Sequence, residues 1–274
     1  MRSGRPAAHA PPEGFRPSKA LGQNFLIDPN LARKLVEALE VPPGGTVLEI
    51  GPGTGVLTER LLSAGAVVHA IEKDKRLAAL LSEKYAGNAA FRLTVGDALE
   101  AEPEFEAGRL PARLISNLPY SVTTPLLLRI VFWGLPLERI VVTVQKEVAE
   151  RIVSQRGREY GRMSVLIGLY GRAKKLFDLP PQAFRPQPRV RSSALLVEPD
   201  PSRPKLARGS WLERLVKAAF SERRKQMAKL VAAAAGRPRA DVESAMAQCG
   251  IAVAARAEEV SPRQFLELAG LLGG

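Results

Sequence analysis

Short apolar runs alternate with helically spaced leucines over the first part of the chain. The runs are rich in β-branched residues and have the length of buried strands, and they fall at 46–50, 66–71, 91–95 and 112–116. Leu57, Leu61 and Leu62 begin a helical spacing after the first run, and Asp28 followed by Pro29 predicts another helix start. Further strands are expected at 139–145 and 191–198. The alternation predicts an α/β fold built on a doubly wound, mostly parallel, Rossmann-like sheet.

The pattern changes at a proline-rich stretch, 199–204, which we interpret as a linker. Beyond it the apolar spacing is helical, and a basic helix is predicted to begin within 220–226, with Ser221 as its N-cap. The first residues are rich in Pro, Ala and Arg. We therefore expect a disordered basic tail at 1–18, an α/β domain at 19–200 and a smaller all-helical domain at 205–274.

A glycine-rich loop, 51–55, separates the first strand from the helix that follows it. The second strand ends in Glu72, about 20 residues further on, where a carboxylate can accept hydrogen bonds from ribose hydroxyls. A dinucleotide site is the competing interpretation. Its pattern requires a third glycine where this chain has Val56, so a pyrophosphate is not favoured. A ligand with a ribose and no phosphate fits better, and S-adenosylmethionine is such a ligand.

A second carboxylate follows the third strand, because 91–95 runs directly into Gly96 and Asp97. Asp97 could accept a hydrogen bond from an adenine amino group. Glu72 and Asp97 could equally cap the helices that follow them, which is a common role for acidic residues. Polar side chains at several strand ends, in register with a glycine loop, favour a binding site over coincidence.

The fourth strand ends in the sequence Asn117, Leu118, Pro119, Tyr120. This set suits chemistry on an exocyclic amine, which is a poor nucleophile until its N–H groups are held. The Asn117 amide oxygen and main-chain carbonyls can accept those N–H groups, Pro119 keeps Leu118 extended, and Tyr120 offers a flat face to a base. The alternative is a strand that simply ends in a proline turn.

The composition indicates which kind of partner the protein binds and which kinds of catalytic site are not expected. The chain has 274 residues, a formal net charge of +12 and a pI near 10.2, which suit a polyanionic partner. Cys249 is the single cysteine, and His9 and His69 are the only histidines, so neither a zinc site nor a Ser-His-Asp triad is expected. No apolar run has the length of a membrane span or a signal peptide. A mitochondrial transit segment is disfavoured by the early prolines, and a reducing cytoplasm is expected.

The chain closely resembles the ribosomal RNA adenine-N6,N6-dimethyltransferases of the kasugamycin-sensitivity type over nearly its full length. The resemblance is carried by LGQNFL at 21–26, EIGPGTG at 49–55, Glu72, GDA at 96–98, NLPY at 117–120 and FRPQPRV at 184–190. It implies a class I methyltransferase fold that uses S-adenosylmethionine and no metal.

Residue roles follow from the same resemblance. It implies S-adenosylmethionine contacts at Asn24, Leu26, Gly51, Glu72, Asp97 and Asn117. It implies that Asn117 and the Leu118 and Pro119 carbonyls hold the target amine, and that Tyr120 and Phe184 sandwich the flipped adenine. Phe184 taken alone would be a core residue beside a proline-rich turn. Arg223, Arg224 and Lys225 are expected to contact RNA, whereas the basic segments 156–158, 174–175 and 185–191 could be solvated faces.

The implied function is N6,N6-dimethylation of two adjacent adenosines in the 3′-terminal hairpin of small-subunit (16S) ribosomal RNA. The expected partner is that RNA or the immature 30S subunit, with a role in ribosome biogenesis, and the protein is expected to be a monomer that binds no membrane. Two alternatives remain open. One is a large-subunit adenine methyltransferase of the macrolide-resistance type, and the other is a non-catalytic assembly or transcription factor of the same fold.

Overall fold

A central sheet organises the part of the chain described by the computed structural model, which covers residues 11–12, 14–18, 20–102, 105, 109–203 and 205–273. Its seven strands are β2 (Thr46–Ile50), β3 (Val67–Glu72), β4 (Phe91–Val95), β5 (Arg113–Asn117), β6 (Arg139–Gln145), β7 (Gly171–Leu179) and β9 (Ser192–Pro199). They lie in the order β4-β3-β2-β5-β6-β9-β7. The five strands β2, β3, β4, β5 and β6 are parallel to one another, and β9 runs antiparallel to β6. The predicted α/β fold with a mostly parallel sheet is confirmed.

Two very short strands form a separate antiparallel pair, β1 (Phe25–Leu26) and β8 (Phe184–Arg185). The sequence did not predict this pair, because two-residue strands have no detectable period. Strand β7 was also not predicted. It lies at the edge of the sheet and carries exposed polar side chains, so its sequence lacks the apolar run of a buried strand.

Helices connect the strands and form the C-terminal part of the chain. They are α1 (Pro29–Leu39), α2 (Val56–Ser63), α3 (Lys75–Lys84), α4 (Thr123–Phe132), α5 (Lys146–Val153), α6 (Arg162–Tyr170), α7 (Trp211–Ala219), α8 (Met227–Ala235), α9 (Arg239–Gln248) and α10 (Pro262–Leu272). Helix α1 begins where the sequence predicts, because the Asp28 carboxylate accepts hydrogen bonds from the main-chain N–H groups of Asn30 and Leu31. No helix in the described ranges is both long enough and apolar enough to cross a membrane.

The chain divides into two compact units. The first extends to Arg129 and also includes Leu135–Ala149 and Lys174–Glu198. Its core joins Leu35 and Leu39 of α1 to sheet residues such as Ile115 and Val141. Because β2, β3, β4 and β5 are parallel, their carboxyl ends meet at one edge of the sheet in this unit.

The second unit is helical and comprises Ile130–Gly134, Glu150–Ala173 and the residues from Pro199 onward. Its core packs Tyr160 and Leu169 against C-terminal side chains such as Phe265. The Tyr160 hydroxyl donates a hydrogen bond to the Val260 carbonyl at 3.0 Å. This unit therefore takes in 150–173 in addition to the residues after the predicted linker. The assignment of 19–200 and 205–274 to separate functions stays a prediction, and most of the predicted tail at 1–18 lies outside the described residues.

The basic helix predicted to start within 220–226 is not formed. Those residues make turns, and α8 begins only at Met227, with Gln226 at its N-cap position. Ser221 does not cap a new helix, because its main-chain N–H and its hydroxyl both donate to the Ala218 carbonyl at the end of α7. The local hydrogen bonds of Ser221 thus terminate one helix instead of beginning the next.

Candidate active site

A cavity of about 140 Å³ opens at the carboxyl edge of the parallel strands in the first unit. Its wall is formed by the strand ends, the glycine loop and residues 20–25. The predicted site residues that line it are Asn24, Gly51, Glu72, Asp97, Asn117, Leu118, Pro119 and Tyr120. All of these residues except Asn24, which precedes β1, are brought together because they end or follow strands of the same parallel sheet.

The glycine loop brings bare main chain to the cavity wall. Gly51 has a φ of +66°, and a Cβ built on it would meet no atom within 4 Å, so its Cα borders open space. Gly53 has a φ of +61°, and a Cβ there would lie 3.1 Å from the Phe25 ring. Both positions favour glycine, the second also because β1 packs against the loop. A ligand can therefore approach the main chain at Gly51 closely.

Glu72 is buried and oriented by the main chain at the end of β3. Its two carboxylate oxygens accept hydrogen bonds from the N–H groups of Gly53, at 3.0 Å, and Asp74, at 2.8 Å. Burial raises the pKa of Glu72, and these two hydrogen bonds partly offset the rise. The N-cap of α3 is Asp74 and not Glu72. The alternative that Glu72 merely caps the following helix is therefore wrong.

Asp97 follows β4 at the same edge of the sheet. One of its oxygens accepts a hydrogen bond from the Leu99 N–H at 3.0 Å, and the other pairs with the Lys73 ammonium at 2.6 Å. Burial alone would raise the pKa of Asp97, but Lys73 and the Leu99 N–H bring it below its ordinary value. Asp97 lines the cavity and stabilises the turn that follows it, but the alternative that it caps a helix is wrong, because residues 98–100 form a turn.

The Asn117 side chain is held from both ends of its amide. Its Nδ2 donates to the Asn24 carbonyl at 2.8 Å, and its Oδ1 accepts a hydrogen bond from the Thr143 hydroxyl. Thr143 is fully buried on β6, directly opposite Asn117, and its carbonyl accepts from the Leu118 N–H at 3.2 Å. An amide oxygen has two lone pairs, so Oδ1 retains one acceptor position.

The residues after Asn117 form a short 3₁₀ turn at Tyr120–Val122. The Pro119 carbonyl accepts from the Val122 N–H at 3.2 Å and from the Thr123 hydroxyl at 3.1 Å. Both of its lone pairs are therefore in use, which leaves the Asn117 side chain and the Leu118 carbonyl as the acceptors for an incoming amine. The Tyr120 hydroxyl lies 2.5 Å from the hydroxyl of Ser192, a fully buried residue of β9.

Comparison with known proteins identifies the family. Residues 14–273 match the model of the family described as ribosomal RNA adenine dimethylase. The chain belongs to the ribosomal RNA adenine dimethylase family. It is an RNA methyltransferase by family.

Individual relatives agree with the family. A protein of Phenylobacterium zucineum (strain HLK1) named Ribosomal RNA small subunit methyltransferase A is 40% identical, covering 93% of this chain and 88% of that protein. A protein of Caulobacter vibrioides (strain ATCC 19089 / CIP 103742 / CB 15) with the same name is 39% identical, covering 93% of this chain and 98% of that one.

Solved structures share the fold. A dimethyladenosine transferase from Plasmodium falciparum superposes with a TM-score of 0.71 at 24% identity, covering 88% of this chain and 94% of that chain. The 23S rRNA methyltransferase ErmE superposes with a TM-score of 0.66 at 27% identity, covering 92% and 100%. The class I methyltransferase fold expected from the sequence is confirmed.

Two of the residues predicted for this dimethylase site do not line the cavity. Leu26 and Phe184 face each other across the β1–β8 pair and are only 1% and 3% exposed. Both pack into the core of the first unit, with Ala183 and Leu179. The Phe184 ring is buried and is not among the residues that line the cavity. Its stacking on the adenine stays a prediction.

Sequence reasoning missed the residues that hold the N-terminal wall of the cavity in position. Gln23 accepts from the Ser18 main-chain N–H at 2.7 Å and donates to Asp74 at 2.9 Å. Asp74 also pairs with Arg76 at 2.6 Å, and that guanidinium lies 4.5 Å from the centre of the Phe15 ring. The hydrogen bond from Arg76 is the main reason that the pKa of Asp74 falls to about 2. No sequence period connects these residues, because their contacts form only when separate parts of the chain meet in the fold.

No group of three or more His, Cys, Asp or Glu side chains suited to a metal ion occurs among the residues that the structure describes.

The three residues predicted to contact RNA differ in their local bonding within the second unit. Arg223 donates to the Tyr160 carbonyl at 3.0 Å and to the Arg158 carbonyl, and it lies 3.6 Å from Glu258. Lys225 pairs with Glu222 at 2.6 Å. Arg224 is exposed, and its side chain makes no hydrogen bond or ion pair within the described ranges. Arg223 therefore fixes the turn, and Arg224 has its full donor set available.

Proposed function

We propose that this protein dimethylates N6 of two adjacent adenosines in the 3′-terminal hairpin of small-subunit (16S) ribosomal RNA, using S-adenosylmethionine. The observation that carries the proposal is the arrangement around the cavity. Glu72 and Asp97 lie on the same cavity as Asn117 and Tyr120, so acceptors for a nucleoside and acceptors for an amine share one space. Relatives of this chain that carry the name Ribosomal RNA small subunit methyltransferase A support the choice of RNA.

The residues present fit S-adenosylmethionine. Glu72 presents a buried, main-chain-oriented carboxylate suited to ribose hydroxyls, Asp97 presents an acceptor for the adenine amino group, and Gly51 presents main chain with open space beside it. Asn24 and Asn117 would complete the contacts. When bound, this cofactor supplies a methyl group on a positively charged sulfur, which an amine can take by in-line displacement.

The task of the protein at the target base is positioning. The free acceptor position of the Asn117 Oδ1 and the Leu118 carbonyl would take the two N–H bonds of the amine, directing its lone pair away from the ring plane. Tyr120 would support the base by stacking, with its hydroxyl held by Ser192. The amine loses a proton only after it has attacked, so no strong base is required and rate enhancement comes from orientation.

The alternative substrate is an adenosine in large-subunit RNA. This alternative is worth testing, because the chain shares its fold with the 23S rRNA methyltransferase ErmE. The greater identity to proteins named for the small subunit supports the proposal, at 40% and 39% against 27%. A non-catalytic role is less well supported, because Asn24, Glu72, Asp97 and Asn117 are all present at the cavity.

One experiment distinguishes the three possibilities. Purified protein, S-adenosylmethionine and immature 30S or 50S particles are incubated, and the RNA is digested to nucleosides for mass spectrometry. We expect dimethyladenosine in small-subunit RNA only, and none with Asn117→Ala. Dimethyladenosine in large-subunit RNA would replace the proposal with the macrolide-resistance class. RNA binding without any methylated product would indicate the non-catalytic role.

The partner surface in the second unit is proposed to include Arg224 and Lys225. Because Arg223 is bonded to two main-chain carbonyls, its reversal would disturb the turn as well as any RNA contact. Arg224→Glu is the more specific variant, and it should lower the slope of the salt dependence of RNA binding by about one, because one phosphate would no longer be neutralised.

A monomeric state and a cytoplasmic location also stay proposals. Gel filtration with light scattering tests the first, and fractionation of cells tests the second.

A further inference from the structure

Three arginines in the segment 185–191 are exposed and unpaired. Arg185, Arg189 and Arg191 are all solvent-exposed, and none of their side chains makes a hydrogen bond or an ion pair within the part of the chain that the structure describes. The sequence alone favoured a solvated face here, because that is the usual fate of a run of charges. The structure adds the surroundings of the segment, which distinguish it from an ordinary charged face.

Several other cations near the carboxyl edge of the sheet have acidic partners. Lys73 pairs with Asp97 at 2.6 Å, and Arg76 pairs with Asp74 at 2.6 Å. On the adjoining strands, Lys175 pairs with Asp178 at 3.3 Å. These positive charges are neutralised, whereas the arginines of the segment have no acidic partner among the described residues. A polyanion that approached this edge would meet the segment's guanidinium groups without competing carboxylates.

Both ends of the segment are attached to the cavity wall. At one end, Arg185 is the register partner of Phe25, which itself lines the cavity. At the other end, Arg191 directly precedes Ser192, whose hydroxyl is 2.5 Å from that of Tyr120. The Arg191 carbonyl also accepts from the Lys146 N–H at 3.0 Å, which fixes this end to β6. One end of the segment therefore reaches the neighbour of Tyr120, which is proposed to support the target adenine, and the other end pairs with a residue of the cavity wall.

We propose that Arg185, Arg189 and Arg191 bind the RNA phosphates that flank the target adenosine. The inference rests on the proposed function and adds a second RNA-contacting surface, in the first unit, to the one around Arg224. Guanidinium groups suit phosphate because their donors match two of its oxygens at once. Val190, which is 44% exposed between two of these arginines, offers an apolar contact to a neighbouring nucleoside.

The test measures RNA binding separately from turnover. The variant Arg189→Gln/Arg191→Gln is compared with Lys34→Gln/Lys174→Gln, which removes two exposed positive charges elsewhere in the same unit. A third protein, Arg189→Lys/Arg191→Lys, keeps the charge. Affinity for a hairpin RNA with two adjacent loop adenosines is measured by filter binding over a salt series, and S-adenosylmethionine binding by calorimetry.

We expect the Arg-to-Gln double variant to lower the salt slope by about two, because each arginine that no longer neutralises a phosphate removes about one, with unchanged S-adenosylmethionine binding. Adding Arg185→Gln should lower the slope by about one more. The lysine control and the Arg-to-Lys variant should keep the wild-type slope. A wild-type slope in the Arg-to-Gln variant, or an equal decrease in the lysine control, would overturn the proposal.

The particle methylation assay described above, run on the same proteins, separates this inference from the proposed function. If wild-type protein binds the hairpin with the expected slopes but produces no dimethyladenosine in small-subunit particles, the proposed function fails and the phosphate surface stands. If wild-type protein methylates the particles and the Arg-to-Gln variant shows full affinity, slope and rate, only the phosphate surface fails.

Discussion

Removal of the Thr143 hydroxyl tests the proposed orientation of the amine most directly. Thr143 is fully buried, and its hydroxyl donates to the same Asn117 oxygen that is proposed to accept the adenine N–H. Thr143→Val keeps the shape of the side chain and removes only the donor. Asn117 would then keep its bond to the Asn24 carbonyl and lose the constraint on its oxygen.

The magnitude follows from a single hydrogen bond. A neutral intramolecular hydrogen bond contributes about 0.5–1.5 kcal/mol net, and about 1.4 kcal/mol corresponds to a tenfold change in rate. If the bond is needed in full to orient the amide during transfer, kcat/KM should fall roughly 2- to 12-fold. The affinity for S-adenosylmethionine should change much less, because the Glu72 and Asp97 contacts are untouched.

Single-turnover methylation of immature small subunits measures this effect, with Thr143→Ser as the matched control. The serine variant restores the hydroxyl and loses a methyl group, so it should recover the rate while losing about 1 kcal/mol of stability. A wild-type rate in Thr143→Val would refute the argument. Equal loss of rate in both variants would attribute the effect to packing instead of orientation.

Three further changes test two residues of the site and the buried carboxyl group of Glu49. Glu72→Gln should weaken S-adenosylmethionine binding by about 1.5–3 kcal/mol in calorimetry, the scale of a charge-assisted hydrogen bond, and unchanged affinity would remove Glu72 from the site. Tyr120→Ala should reduce turnover and make monomethyladenosine accumulate, since the monomethylated amine has one N–H left and depends more on stacking. A wild-type ratio of mono- to dimethyladenosine would exclude the Tyr120 ring from this role. Fully buried Glu49, whose pKa burial raises from 4.5 to about 7, is protonated in the folded protein over a range where the unfolded chain is ionised. As the pH rises from 4.5 to about 7, the unfolding free energy of wild type should therefore fall by up to about 3 kcal/mol relative to that of Glu49→Gln. Parallel pH profiles of the two proteins in denaturant titrations would contradict this.

The sequence predicted the part of the site that depends on strand ends. Glu72, Asp97 and Asn117 each follow an apolar run, and parallel strands bring their carboxyl ends to a common edge whatever the details of packing. Those three residues do line one cavity. The glycine loop is of the same kind, because its glycines mark a main-chain approach that sequence alone can indicate.

The sequence could not predict contacts that depend on the register between paired strands. Thr143 meets Asn117 because β5 and β6 pair at that position, and Ser192 meets Tyr120 because β9 returns antiparallel beside β6. A shift of one residue in either pairing would turn these side chains to the other face of the sheet. Nothing in a local apolar pattern fixes that register. The edge strand β7 and the β1–β8 pair were missed for a related reason, since neither buries a continuous apolar run.

Runs of basic residues show a further limit of prediction from sequence. Neighbouring arginines look alike in the sequence but differ in the hydrogen bonds and ion pairs that they make in the fold. Arg223 and Arg224 are neighbours of the same type, yet the first is bonded to main-chain carbonyls and the second has no partner among the described residues. The segment 185–191 shows the reverse, since its arginines have no ion-pair partner among the described residues, whereas Lys73 and Arg76 near the cavity are paired. Counterion release depends on the charges that reach phosphates and not on the number in the sequence. The net charge of +12 therefore indicates a polyanionic partner, whereas the pairing of each cation indicates which surfaces can bind it.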